Sequence, residues 1–553
     1  MTFNTLSKHS YLILLAVVSG LLFSSCKKHL EVQNTVAQPE TKMWKNYDDA
    51  RAGLAGMYGL SRAALARNNA HWMYGELRAG DFQAVTKGGY IDAVINNELN
   101  RSFTQIKELT NWTPFYAAID ACNTFIERSG ECKQDFRYSE LNNKVDVAQA
   151  RVLRSFLYFY MVRIWGDVPL ITKSAAGSFD EQVARTPQRE VMQFCISELM
   201  KYKDSLPTSY GGDDTSPLAY RDRYYGGTWN TWGNAFWGQY QAWALLAQMY
   251  AWIGDYDNVI VAGGRVWSTP TGANASGVSR DPHSSYVTFD QMKSGYLTDG
   301  PSSIFYGKGI KGSRSYQLVA FPYDMDNSES GPSGVGHIES LTLASPFVPR
   351  ALPDIYVPRD TIDMLFYASG DLRNPYQPSK GNYDEVYFTN YFGNNPIFIK
   401  FRNIAPGSTS FPLFGSCIPI MRMEDIALLI AEAYYMRGGA VNIRNAYRAV
   451  NGIRKQRNTP GFYDGLTDPN GTLIPFTQAS LENGILWNIF RERRIELMGE
   501  GVAWYDKIRY NRLVPTENPE FTRLINEGGI YWPIDEEIIR KNPLIEQNSY
   551  WKK

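Results

Sequence analysis

Arg491-Glu492-Arg493-Arg494-Ile495-Glu496 gathers ionisable side chains as tightly as an acid–base centre would. Two carboxylates with cations between them could move protons. On a helix, however, Glu492 and Glu496 share one face and Arg493 stands three before Glu496, the spacing of ordinary stabilising charge pairs. No nucleophile or metal ligand accompanies them in the run, so a structural role is expected. Gly307-Lys308-Gly309-Ile310-Lys311-Gly312 matches G-x-G-x-x-G, but Ser313 to Phe321 does not read as the helix that would receive a pyrophosphate. Asp324, Asp326 and Ser328 imitate the start of a calcium loop, yet Glu329 stands where Gly is needed and Val335 where Glu is needed. A looser calcium site stays open, and no other cofactor is expected. His9, His29, His71, His283 and His337 form no H-E-x-x-H pattern, and G-x-S-x-G is absent. Cys122, Cys132, Cys195 and Cys417 lie beside no His in a metal-ligand pattern, and spacing leaves a Cys122–Cys132 disulfide undecided. No catalytic motif is therefore recognisable, although scattered catalytic carboxylates stay open.

Aromatic residues offer a different chemistry. The 553 residues include 36 Tyr, 27 Phe and 14 Trp, more rings than a core alone usually requires. A ring with a free face stacks on the apolar face of a sugar, and a nearby carboxylate or amide bonds its hydroxyls. Two segments combine rings with polar groups. Trp72 and Tyr74, then Asp81 and Tyr90, fall in what reads as the loop after the first helix. Tyr286, Tyr296, Tyr306, Tyr316 and Tyr323 lie in an irregular region, and Trp229 and Trp232 in a Gly-rich approach form a reserve. The competing role for each ring is to cap the core. Basic and acidic groups balance at 56 each, which removes any general electrostatic reason to bind nucleic acid or an anionic membrane.

The elements that would position these residues begin after a targeting segment. Lys8 and His9 precede the apolar stretch Tyr11 to Leu22, then Ser24, Ser25 and Cys26. A permanent membrane span needs about 20 apolar residues, so residues 1–25 read as a cleaved signal of the bacterial lipoprotein kind. Cys26 is then the lipidation site, and membrane attachment runs through that anchor alone.

Asp146 to Ile164 has helical apolar spacing and stops at Trp165-Gly166-Asp167-Val168-Pro169. Helix pairs are expected at Tyr240 to Trp267, broken at Gly254-Asp255, and at Met423 to Arg454, broken at Gly438-Gly439. Leu245-Leu246-Ala247, Tyr250 and Gly254 recur at identical offsets as Leu429-Ile430-Ala431, Tyr434 and Gly438. A large residue, a small one, Tyr and a closing Gly suit interlocking tetratricopeptide-like hairpins. Between the pairs, residues 270–418 are dense in Gly, Pro, Ser, Asn and Tyr, with short apolar runs such as Ile397 to Phe401. The expected fold is mainly α: a tetratricopeptide-like helical-hairpin scaffold with a loop-rich irregular region containing short strands. Its parts are the signal 1–25, an N-terminal helical part 26–269, the loop-rich region 270–418 and a C-terminal helical part 419–553.

Four segments together resemble the SusD/RagB family of surface nutrient-binding lipoproteins. They are Ala150-Arg151-Val152-Leu153-Arg154 leading to Trp165-Gly166-Asp167; Arg422 to Arg457; Arg491 to Leu497 with Glu500-Gly501 and Trp504-Tyr505-Asp506; and Trp532-Pro533-Ile534 through Asn542-Pro543-Leu544 to Gln547-Asn548. Together with the lack of a catalytic motif, the resemblance implies a binding protein and not an enzyme, with ligand contacts near the two aromatic segments and an oligo- or polysaccharide as ligand. It also implies an outer-membrane, surface-exposed location and a SusC-like TonB-dependent transporter as partner. Two other functions compete with this one: a glycoside hydrolase with two carboxylates flanking a cleft, and a binder of peptide or another non-glycan nutrient.

Overall fold

The computed structural model describes residues 43–175, 182–207, 236–268, 317–323, 336–367, 387–402, 404–405, 413–457 and 484–552, with single positions at 370, 371, 373, 374 and 459. Asn46–Lys553 forms one compact unit, and it is mainly helical.

Helix α1 (Tyr47–Ala66) starts where the Asn46 side chain accepts the backbone N–H groups of Asp48 and Asp49. That cap answers two donors a helix start leaves unpaired. A short helix, α2 (Ala70–Gly75), follows a sharp reversal at Asn68 and Asn69. The helices α3 (Thr113–Arg128), α4 (Glu140–Trp165) and α5 (Gln188–Tyr202) come next. α4 begins at a Ser139 cap and ends at Gly166, whose φ of 76° few other residues adopt cheaply. From Val152 to Trp165 every side chain of α4 is buried, because α3 and α5 cover it from two sides.

The next hairpin is α6 (Gln239–Ile253) and α7 (Tyr256–Ser268), followed by α8 (Met423–Arg437) and α9 (Ala440–Gln456). Both hairpins turn at the expected glycines: Gly254 has φ 79° and Gly438 φ 71°. Each helix from α3 to α9 packs on its neighbour in sequence, the arrangement of stacked helical hairpins. α7 and α8 approach closely, since a Cβ on Gly263 would come within 2.6 Å of the Ile430 side chain. α10 (Ile485–Glu496) lies on α8, and α11 (Ala503–Leu513) on α10.

Strands among the described residues form separate antiparallel pairs. Gln317–Phe321 pairs with Ile418–Arg422, which delivers Arg422 to the start of α8. Phe388–Thr389 pairs with Ile397–Phe398, the second strand falling within an apolar run expected from the sequence.

Candidate ligand-binding site

α10 carries two faces of different character. Ile485, Ile489, Glu492 and Glu496 recur at helical spacing and all are buried. The ladder expected along the helix is replaced by partners from distant segments. Arg373 donates to Glu492 at 2.7 Å and to Glu496 at 2.9 Å, and Arg454 donates to Glu492 at 2.9 Å. Arg457 donates to both oxygens of Glu496 at 2.6 and 3.0 Å, and Arg422 joins Glu496 to Glu500. Lys400 adds a bond of 2.6 Å to Glu500 and caps the carbonyls of Glu496 and Met498. Counting Asp371 and Glu424, five cations meet five carboxylates with almost no solvent access. Such neutrality is what makes buried charge tolerable. Burial alone would raise the Glu496 carboxyl, but Arg457, Arg422 and Arg373 outweigh it and hold it well below the usual carboxylate range. Each of these carboxylates is thus held by guanidinium or ammonium partners within the fold.

The aromatic segment after α1 also differs from expectation. It is not a loop with open rings, because α2 is docked on the turn that follows α10. Trp72 is fully buried, and its indole N–H donates to the Gly499 carbonyl at 3.0 Å. Glu76 accepts the backbone N–H groups of Gly499 and Gly501 at 2.6 and 2.9 Å. His71 bridges the Tyr160 hydroxyl and the Glu500 carbonyl, with burial pushing its pKa down to about 4. The fit leaves no spare volume: a Cβ on Gly75 would sit 1.8 Å from the Gly501 carbonyl oxygen. Tyr74 is buried too, donating to the Leu109 carbonyl at 2.7 Å with its ring edge-on to Trp165 and Trp532. Neither Trp72 nor Tyr74 has a face to offer a sugar, and both are corrected to core residues. Tyr323 is buried as well, its ring between Arg62 and His337. Tyr90 is half-buried at the start of the helix Tyr90–Ile95, where burial and Asp354 raise its pKa. Cys26, Trp229, Trp232, Tyr286, Tyr296, Tyr306, Tyr316 and the Asp324–Ser328 run lie outside the described residues. Cys122 and Cys132 are free buried thiols. Among the described residues no group of His, Cys, Asp or Glu could hold a metal, and no helix is long and apolar enough to cross a membrane.

Of the expected site residues, Asp81 alone reaches a pocket among those described. The pocket has a volume of about 320 Å³ and lies against the second face of α10, where Trp487, Arg491 and Arg494 follow at helical spacing. Met364 and Leu365 face them, with Ala79, Ala503, Lys507 and Tyr510 closing the sides. Trp487 is 47% exposed, and Tyr367 beside it 63%. Both rings flank the Arg491 guanidinium, at 4.1 Å for Tyr367 and 5.6 Å for Trp487. Asp81 is buried, with one oxygen receiving Arg494 at 2.6 Å and Oδ2 bonded to nothing. An exposed ring, Trp487, and a buried, half-satisfied carboxylate, Asp81, lining one pocket are what a sugar-sized ligand needs. Sequence reasoning passed over Trp487. The i, i+4, i+7 spacing of Trp487, Arg491 and Arg494 opposite Ile485, Ile489, Glu492 and Glu496 was the signal for it.

Comparison with known proteins places two family models on the chain. One, described as the SusD family, matches residues 369–551, and the other, described as starch-binding associating with outer membrane, matches residues 28–217. The SusD-like protein P38 of Formosa agariphila is 24% identical over 98% of this chain and 99% of its own length. The crystal structure of a SusD superfamily protein from Bacteroides thetaiotaomicron is 33% identical, covering 92% of this chain and 100% of that one with a TM-score of 0.75. A laminarin-binding SusD-like protein shares the fold at 17% identity, with a TM-score of 0.58 over 91% of this chain and 99% of its own.

Proposed function

The chain belongs to the SusD/RagB family, and on that premise we propose that it captures a glycan at the outer cell surface and passes it to a TonB-dependent outer-membrane transporter. The observation that carries the binding role is the pocket on α10, lined both by the half-exposed Trp487 ring and by Asp81 with its unpaired Oδ2. A sugar ring laid on the indole would leave hydroxyls free to donate to that oxygen, removing the cost of an unanswered buried acceptor. The buried ion network supports binding over catalysis, because its carboxylates are fixed by guanidinium pairs rather than held free for proton transfer. The starch-binding family model and the laminarin-binding structural relative favour a glycan among nutrient classes.

The surface location rests on the apolar Tyr11–Leu22 stretch and Cys26. Acyl chains contribute about 0.8 kcal/mol per buried methylene, so a multiply acylated Cys26 anchors the protein durably. Cys26→Ala should abolish labelling by a radioactive fatty acid and release the folded protein; label persisting in that variant contradicts the anchor. For the binding role, the purified protein should retain members of a glycan array without producing new reducing ends. Hydrolysis of a retained glycan would overturn the binding-only reading.

A further inference from the structure

The charges around the pocket do not balance locally. Arg491, Arg494 and Lys507 line it together with Asp81 and Asp506. Asp506 is already taken by Arg493 at 2.8 Å, and Asp81 by Arg494. Arg491 and Lys507 form no ion pair with any carboxylate among the described residues. Arg491 is only 4% exposed; one of its nitrogens donates to the Leu365 carbonyl, while Nε and Nη1 have no hydrogen-bond partner. Lys507 donates to the Ala79 carbonyl at 3.0 Å, which leaves donors over from the three an ammonium carries.

Leaving guanidinium donors unanswered where water is scarce is costly, more so than for a neutral group. Burial pushes both Arg491 and Lys507 below their ordinary values. An arriving anion would answer the donors and oppose that shift. The geometry narrows what kind of anion fits. Tyr367 and Trp487 stand against the guanidinium, and their exposed rings suit the apolar face of a sugar. Nε–H and the Nη1 hydrogens lie on different edges of the guanidinium, so an oxyanion meets either of them in a two-bond fork together with the Nη2 hydrogen that Leu365 does not take. A free inorganic anion would use the donors and ignore the rings; a neutral sugar would do the opposite.

We propose that this pocket selects a saccharide unit bearing an oxyanion, a hexuronate carboxylate or an O-sulfate, with the sugar ring on Trp487 and the anion at Arg491 and Lys507. The proposal rests on the glycan-binding reading and narrows it. Hydrogen bonds to a charged group are stronger than those between neutral ones, so the anionic form should bind roughly 10-fold or more tighter than its neutral counterpart.

Titration calorimetry of the full chain tests this with two matched pairs of probes: a hexuronate oligosaccharide and the same oligosaccharide with its carboxyls reduced, and an O-sulfated neutral oligosaccharide and its desulfated control. The expected result is that at least one anionic probe outbinds its neutral counterpart, that the preference shrinks in Arg491→Gln and in Lys507→Gln, and that added salt weakens it. Which anionic probe wins assigns carboxylate or sulfate. Arg491→Lys should keep part of the preference, because it retains charge and loses the planar fork. Circular dichroism reports whether each variant folds, and Lys507→Gln carries the test if Arg491→Gln does not. Neutral and anionic probes binding alike, or an anion preference that survives both Gln variants, overturns the proposal. A protein that binds neutral array glycans but neither anionic probe overturns it while leaving the glycan reading intact. A protein that binds no glycan of either kind sinks both.

Discussion

The two faces of α10 hold similar residues and do opposite things. On one face Glu492 and Glu496 meet Arg373, Arg422, Arg454 and Arg457, and every charge is answered within a sealed volume. On the other, Arg491 and Asp81 keep polar atoms that nothing answers, beside rings that stay half-exposed. Charge density alone therefore does not mark function in this molecule. Saturation separates the two: a closed network holds the fold, and an open one is ready for a ligand.

Breaking the closed face should have the largest effect. Glu496→Ala removes the shared partner of three buried guanidinium groups, and losing one side of a buried pair costs about 3–5 kcal/mol. Thermal melting should show a large loss of stability or no folded protein. A melting temperature within a degree or two of the parent would contradict the account of this face. Trp72→Ala should behave alike, because emptying a buried Trp site costs about 3–5 kcal/mol. The loss should appear as stability rather than as a selective loss of affinity. Trp72 retaining full stability as Ala while affinity falls would return it to the binding surface.

Acid should expose the closed face more gradually. The folded Glu496 carboxyl titrates well below 4.5, so its contribution is present above the unfolded value and is lost as pH falls below it. Melting followed from pH 6 down to pH 3 should therefore fall more steeply for the parent than for Glu496→Gln, provided that variant folds. Parallel slopes would show that the network does not set the acid limit.

The helices were legible because two signals coincided in them. α6 with α7 and α8 with α9 have apolar periodicity closed by Gly254 and Gly438, both of which take the left-handed backbone those turns require. The site was less legible, because periodicity within one segment says nothing about partners hundreds of residues away. Trp72 and Glu500 lie far apart in sequence, yet the turn from Gly499 to Gly501 closes over α2 and hides the ring. The spacing of Glu492 and Glu496 pointed to charge pairs along the helix, but their partners come from Arg373, α9 and the strand before α8. Trp487 went unnoticed because it precedes the charged run instead of lying in it.

The open face is tested most directly by Trp487→Ala, titrated beside the parent against a glycan retained on the array. Truncating an exposed stacking ring should cost about 1–3 kcal/mol of affinity, by analogy with bases stacked on aromatic side chains. The melting temperature should barely move, since nearly half of the residue already faces solvent. Affinity falling at constant melting temperature is the result this account predicts. Unchanged affinity in a folded Trp487→Ala protein would contradict it and remove the α10 pocket as the glycan site.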